Sequence, residues 1–183
     1  MRRYVWDSVV RLCHVFFVVG CLGAYLTYQM GRMEWHAWCG YLVLGALASR
    51  IVWGVIGSPH ARFSGFVRGP ATAWRYLRSW RRQPAPIGHN PLGGYAVLAL
   101  LSALLVEGLT GLFSDDEVAT TGPLRNLVSD DHAQVLTHIH RLSFDVLLIL
   151  VALHLAAIVA YALIKRIDLI GPMITGWGRD GEG

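Results

Sequence analysis

Four long apolar runs, separated by stretches dense in polar and charged residues, organise the chain: about residues 9–28, 36–56, 91–113 and 137–164. Each reaches the length of about 20 residues that carries a helix across a hydrocarbon core of about 30 Å. Backbone groups in lipid must be satisfied within the protein, so four such runs predict an all-α, integral membrane four-helix bundle. Between the second and third runs the pattern changes. Over residues 70–82, Trp74, Leu77 and Trp80 share one side of a helix while Arg75, Arg78 and Arg82 share another. That spacing predicts an amphipathic segment lying on the inner membrane surface against anionic membrane lipid.

Composition fits this outline. Of 183 residues, 54% are hydrophobic and 15% charged, with a mean hydropathy of +0.44, which makes residues 1–183 a single membrane domain and no ordinary soluble one. No nucleic-acid partner is expected.

Charge then gives the bundle a direction. Residues 1–11 carry +2 (Arg2, Arg3 and Arg11 against Asp7), and residues 57–90 carry +6 with no acid. Residues 114–136 carry −4, from Asp115, Asp116, Glu117, Asp130 and Asp131 against Arg125, and residues 29–35 are neutral. Basic connections stay inside, so both termini come out cytoplasmic. A rival reading takes Arg2, Arg3 and the Val18-Val19-Gly20-Cys21 stretch as a cleaved lipoprotein signal. Cleavage there would leave three spans with termini on opposite sides, against the charge pattern. Cys13, Cys21 and Cys39 lack the C-x-x-C and C-x-x-C-H spacings of metal or covalent haem sites and read as packing residues.

The candidate chemistry is histidine. At about 100° and 1.5 Å per residue, His140 and His154 return to within about 40° of one helix face, roughly 21 Å apart along the axis. His138 and His154 fall about 160° out of phase by the same geometry, so His138 points elsewhere. A separation of that size rules out one shared metal ion; each imidazole needs a partner at its own depth. Depth supplies two: His14 with His154 in the inner half, and His36 with His140 in the outer half. Paired neutral imidazoles across a bundle are the axial ligation that a six-coordinate b-type haem needs. The reading is therefore of two haems b, with His14 and His154 on the inner iron and His36 and His140 on the outer iron. Hydrogen-bonded core histidines are the rival, but ionisable groups are costly in a membrane and four in two depth-matched pairs favour ligation.

The same histidines stand among further motifs: W-D (Trp6-Asp7), R-x-x-W-G (Arg50 to Gly54), G-S-P-H-A-R-F (Gly57 to Phe63), G-H-N-P-L-G-G (Gly88 to Gly94), L-T-G-L-F (Leu109 to Phe113) and M-I-T-G (Met173 to Gly176). Together they resemble the bacterial cytochrome b561 family, in the group that includes the b-type subunits of nickel-iron hydrogenases, and the resemblance runs nearly end to end. It implies a multi-pass protein of the bacterial cytoplasmic (inner) membrane that passes electrons between the quinone pool and a redox partner. Glu107 stands where the resemblance leads one to expect a neutral polar residue.

Several polar residues keep two readings. Arg50 either pairs a propionate of the inner haem or snorkels to the headgroups. Arg141 and Asp145 fit a helical ion pair. His60 and His89 suit propionates or a quinone headgroup, while Asn90 and Pro91 read as the cap and first turn of the third span. Glu107, Asp145, His138 and His89 are all candidates to line a quinone pocket. Three functions follow: an electron-transfer cytochrome with quinone oxidoreductase activity; a membrane-anchoring cytochrome b subunit of a larger oxidoreductase such as a hydrogenase; and a histidine-based metal or proton transporter. Some cytochromes of the resembled family are associated with superoxide oxidation, but the −4 outer connection would repel an anion and attract a basic cytochrome c.

Overall fold

The computed structural model describes residues 2–82, 88, 90–115 and 120–179. The elements are β1 (Arg2–Tyr4), α1 (Ser8–Gln29), α2 (Met33–Ile56), α3 (Phe63–Phe66), α4 (Pro70–Ser79) running into a 3-10 turn at Trp80–Arg82, α5 (Pro91–Phe113), a 3-10 turn at Arg125–Leu127, α6 (Asp130–Ile164), α7 (Ile170–Thr175) and β2 (Trp177–Arg179). The protein is all-α in class. α1, α2, α5 and α6 are each long and apolar enough to cross a membrane, and no more than 28% of the most apolar stretch of any of them is buried, which leaves a wide apolar surface suited to lipid.

Local chemistry sets the helix ends. Asp7 Oδ1 accepts the Val10 amide at 2.9 Å and caps α1. At its other end Gly31 takes φ +65°, the Gly31 amide donates to Tyr28 at 2.9 Å and the Arg32 amide to Thr27 at 2.8 Å. This is a Schellman stop, and it lets α2 start at Met33. Asn90 Oδ1 accepts the Gly93 amide at 2.7 Å with Pro91 in the first turn, so the Asn-Pro pair caps α5 as its sequence predicts. α6 begins at Asp130, ahead of the apolar run that starts near Thr137. Its added turns are polar, carry Asp130 and Asp131 where the helix dipole favours acids, and are tied down by Arg125, which bridges Asp115 and Asp130.

The described residues fall into two compact units, and every long helix contributes to both. The first comprises Met1–Cys13, Ser49–Ala99 and Leu150–Gly183. Here β1 and β2 pair antiparallel with Arg2 opposite Arg179 and Tyr4 opposite Trp177. Val5, Trp6, Val10 and Ala61 form a buried cluster, with Trp53 and Met173 against it. Asp7 is the polar hub of this cluster: its Oδ2 accepts from Trp53 Nε1 at 2.9 Å and from the Ser58 hydroxyl. α4 turns Ala73 and Tyr76 inward and leaves Trp74 and Leu77 exposed. Tyr76 and Tyr161 share a hydroxyl hydrogen bond of 2.8 Å, and Asn90 Nδ2 donates to Tyr161 at 2.8 Å.

The second unit comprises His14–Ala48 and Leu100–Ile149. Its helices meet through small residues. A Cβ on Gly20 would lie 2.6 Å from Val43 Cγ2, one on Gly23 2.9 Å from Cys39 Sγ, and one on Gly108 2.4 Å from Leu44 Cδ2. Leu47 is the most completely enclosed large side chain among the described residues, at 1% exposure.

Candidate functional site

The second unit brings two of the candidate ligands together. His36 is in the first turn of α2 and His140 near the start of the apolar part of α6, and their ring centroids are 6.3 Å apart with planes at 90°. Each ring is fixed from behind. His36 Nδ1 lies 2.9 Å from the Ala24 carbonyl on α1, and His140 Nδ1 lies 2.9 Å from the Glu107 carbonyl on α5. A carbonyl only accepts, so both Nδ1 atoms carry the proton and donate it, which leaves each Nε2 as a free lone pair. The His140 contact depends on Gly111, where a Cβ would come within 3.0 Å of His140 Cε1. His138, on the same helix, is exposed.

Behind His140 stands a carboxylate. Glu107 Oε1 is 3.4 Å from His140 Nδ1, and the Ser143 hydroxyl donates to Glu107 Oε2. Ser143 is buried, and Thr110, one turn from Glu107 on α5, is buried as well. Composition gave no sign of this contact. It runs through a backbone carbonyl and a glycine gap, neither of which leaves a periodic trace; the departure at Glu107 was the one signal.

The first unit holds Arg50 and the motifs around it. Arg50 is 4% exposed, with its guanidinium 5.0 Å from the centre of the Phe63 ring. Phe63 lies across Gly54, where a Cβ would be 2.1 Å from Phe63 Cε2, and Trp53 reaches Asp7. R-x-x-W-G and the phenylalanine of G-S-P-H-A-R-F are thus one packed assembly. Arg50 is buried and so does not snorkel, and its Nη1 has no hydrogen-bond partner among the described residues. Asp7, at the start of α1, has its carboxyl below the usual range: burial pushes it up, but hydrogen bonds from Ser58, Trp53 and the amides of Val10 and Val9 outweigh burial.

The remaining candidates are placed as follows. His14 is half-buried on α1 in the second unit, and His154 is half-buried on α6 in the first. His60 is exposed, and His89 lies outside the described residues. Arg141 and Asp145 are both exposed, and no ion pair joins them among the described residues. Even in water a helical pair of this spacing contributes only about 0.2–0.5 kcal/mol, which does not fix two exposed side chains in one geometry.

A protein with four membrane-crossing helices that brings two half-buried histidines face to edge between them has the make-up of a membrane cytochrome. Residues 5–176 match the family model of prokaryotic cytochrome b561, and the chain belongs to that family. It is similar to probable Ni/Fe-hydrogenase B-type cytochrome subunits from Azotobacter chroococcum mcd 1 and Azotobacter vinelandii, at 26% identity over 95% of this chain and 87% of each relative. A third, from Rhizobium leguminosarum bv. viciae, is 25% identical over 94% and 87%. No solved structure matches. The protein is a membrane b-type cytochrome of electron transfer.

The donor set suits the b-type haem that such a cytochrome carries. Two imidazoles on opposite sides of one metal, at bonds of about 2 Å, have centroids roughly 6 Å apart. A haem also brings anionic propionates, and Arg50 Nη1 is a buried donor with no hydrogen-bond partner among the described residues.

Proposed function

We propose that this cytochrome binds two haems b and carries electrons across the cytoplasmic (inner) membrane between the quinone pool and a redox partner, with both termini cytoplasmic. His36 and His140 hold the outer haem iron, His14 and His154 the inner one, and Arg50 pairs with a propionate of the inner haem. The observation that carries this reading is the His36 and His140 pair, with both Nδ1 atoms donating to backbone carbonyls and both Nε2 atoms left to ligate. Bound haem supplies a one-electron carrier. The protein's own part is to fix the tautomer and angle of each imidazole, to keep water out with apolar helices, and to neutralise propionate charge through Arg50.

The exposed Trp74 and Leu77 of α4 suit an interfacial position against membrane lipid, with the arginines of residues 57–90 on the cytoplasmic side. A second reading is favoured by the hydrogenase relatives, which align along nearly their whole length: this chain is the membrane-anchoring cytochrome subunit of a larger oxidoreductase, delivering its electrons to quinone. A basic cytochrome c is the partner that the acidic connection at residues 114–136 suits. Exchange with such a cytochrome slows as ionic strength rises, whereas a stable oxidoreductase complex copurifies from native membranes.

Alanine substitution of each histidine tests the ligand set. His36→Ala and His140→Ala each lower the haem-to-protein ratio from two to one, with loss of the same spectral component. His14→Ala and His154→Ala each remove the other component, and His138→Ala keeps both. Loss of a haem in His138→Ala with both retained in His140→Ala would overturn the assignment.

A further inference from the structure

We infer that Glu107 is a positioning residue for the outer haem, one that strengthens His140 as an electron donor to iron and thereby lowers the potential of that haem relative to a site with two carbonyl-backed imidazoles. This rests on the ligand reading above and adds a role for a side chain that the reading leaves unused.

The asymmetry between the two rings carries the inference. His36 Nδ1 faces the Ala24 carbonyl, a neutral acceptor. His140 Nδ1 faces two groups of one residue: the Glu107 carbonyl at 2.9 Å and the Glu107 carboxylate, Oε1 at 3.4 Å. The N–H bond goes to the carbonyl, the nearer and better placed acceptor, while the carboxylate adds negative charge on the same side of the ring. The Ser143 hydroxyl donates to the other carboxylate oxygen, and that hydrogen bond holds the carboxylate in its direction beside the ring. Ser143 is three residues along α6 from His140, so the hydroxyl that holds the carboxylate and the ring beside it stand on one helix.

A carboxylate behind the N–H of a ligating imidazole makes the other nitrogen more basic. A more basic ligand and a nearby negative charge both stabilise the oxidised iron, whose charge is higher by one, over the reduced iron. Both effects have the same sign, so the oxidised form of the outer haem gains.

The test is redox titration of the purified, haem-loaded protein, followed by the visible spectrum and by the electron paramagnetic resonance of each oxidised haem. Glu107→Gln keeps the size and the backbone carbonyl but removes the charge. It is expected to favour the reduced outer haem by about tenfold at a fixed potential, a rise of about 59 mV for one electron. The inner haem stays where it was. Ser143→Ala, which frees the carboxylate from its fixed direction, moves the same haem in the same direction by less, and Glu107→Asp recovers part of the wild-type value. Should Glu107→Gln fail to assemble, Ser143→Ala decides alone. Two retained haems with unmoved potentials in both variants would overturn the inference while leaving the ligands as assigned. Retention of both haems in His140→Ala would instead remove the ligand reading on which it stands.

Discussion

The two units of this cytochrome use the same four helices and solve opposite electrostatic problems. The second unit surrounds its histidine pair with acceptors, two backbone carbonyls and the Glu107 carboxylate, and packs its helices through Gly20, Gly23, Gly108 and Gly111. The first unit encloses a cation, Arg50, whose Nη1 lacks a partner among the described residues, and locks its chain ends through Asp7, the β1–β2 pair and the Tyr76–Tyr161–Asn90 network. A half-buried carboxylate beside the histidine pair and a buried guanidinium in the other unit give the two units opposite charge.

The comparison is most exposed at Arg50. If an anionic propionate satisfies it in the haem-loaded protein, Arg50→Met breaks a buried pair and costs about 3–5 kcal/mol. Thermal unfolding of the purified variant measures that loss, and the inner haem component should be the one that bleaches first. A neutral or stabilising result would mean that no anion meets Arg50, because removing a lone buried charge relieves the protein.

Asp7 tests the polar lock of the same unit. Asp7→Ala leaves the Trp53 and Ser58 donors without their acceptor and uncaps α1, for a loss of about 2–4 kcal/mol. Because the folded Asp7 carboxyl is held below its ordinary value of 3.8, its contribution to stability is fully present above that pH. It is lost as pH falls through the lowered folded value. Acid unfolding of the wild type should therefore show a component below that pH which Asp7→Ala lacks.

The two units were unequally legible in the sequence. Apolar runs are long-range signals that survive any detail of packing, so the four long helices could be read directly. The first turns of α6 could not, because Asp130, Asp131, His132 and Gln134 interrupt the apolar run there and Arg125 holds them from a neighbouring connection. Nor could β1 and β2, three residues each at opposite ends of the chain, which are too short to show a period. In α4, pattern alone set Trp74 and Leu77 apart from the arginines but could not tell that Ala73 and Tyr76 form the face that packs on protein. In the site, helical phase separates His140 from His138, Arg50 stands out as a charge in an apolar run, and Glu107 as an acid where the family resemblance leads one to expect a neutral polar residue. What backs each imidazole was out of reach, since a backbone carbonyl is the same at every position.

The glycine contacts of the second unit give a smaller effect. Gly108→Ala pushes a methyl group to 2.4 Å from Leu44 Cδ2, and relief by shifting Leu44 costs about 1–3 kcal/mol. Gly40→Ala is the control: nothing lies within 4 Å of its Cβ position, so loss of chain entropy in the unfolded state makes it neutral or stabilising by up to about 1 kcal/mol. Equal effects at the two positions in a thermal unfolding series would show that close approach is not what holds this unit.

The smallest effect belongs to the first unit, at the hydroxyl that α4 and α6 share. Tyr161→Phe removes the partner of both Tyr76 and Asn90 but leaves the Asn90 cap on Gly93 intact, so the cost is about 1–2 kcal/mol. The consequence is sharper in pH than in magnitude. Burial, and then the hydrogen bond to Tyr161, push the Tyr76 hydroxyl well above its ordinary value of 10.0. A raised value in the folded state means that this contribution is complete below pH 10.0 and is lost as pH rises toward the folded value. Wild-type protein should therefore lose stability in the alkaline range more steeply than Tyr161→Phe, in which one cause of the shift is gone. Tyr76→Phe, which has no hydroxyl to ionise, should lose the alkaline component altogether. If all three proteins followed one alkaline profile, the Tyr76–Tyr161 contact would contribute packing alone, and the polar lock of the first unit would reduce to Asp7.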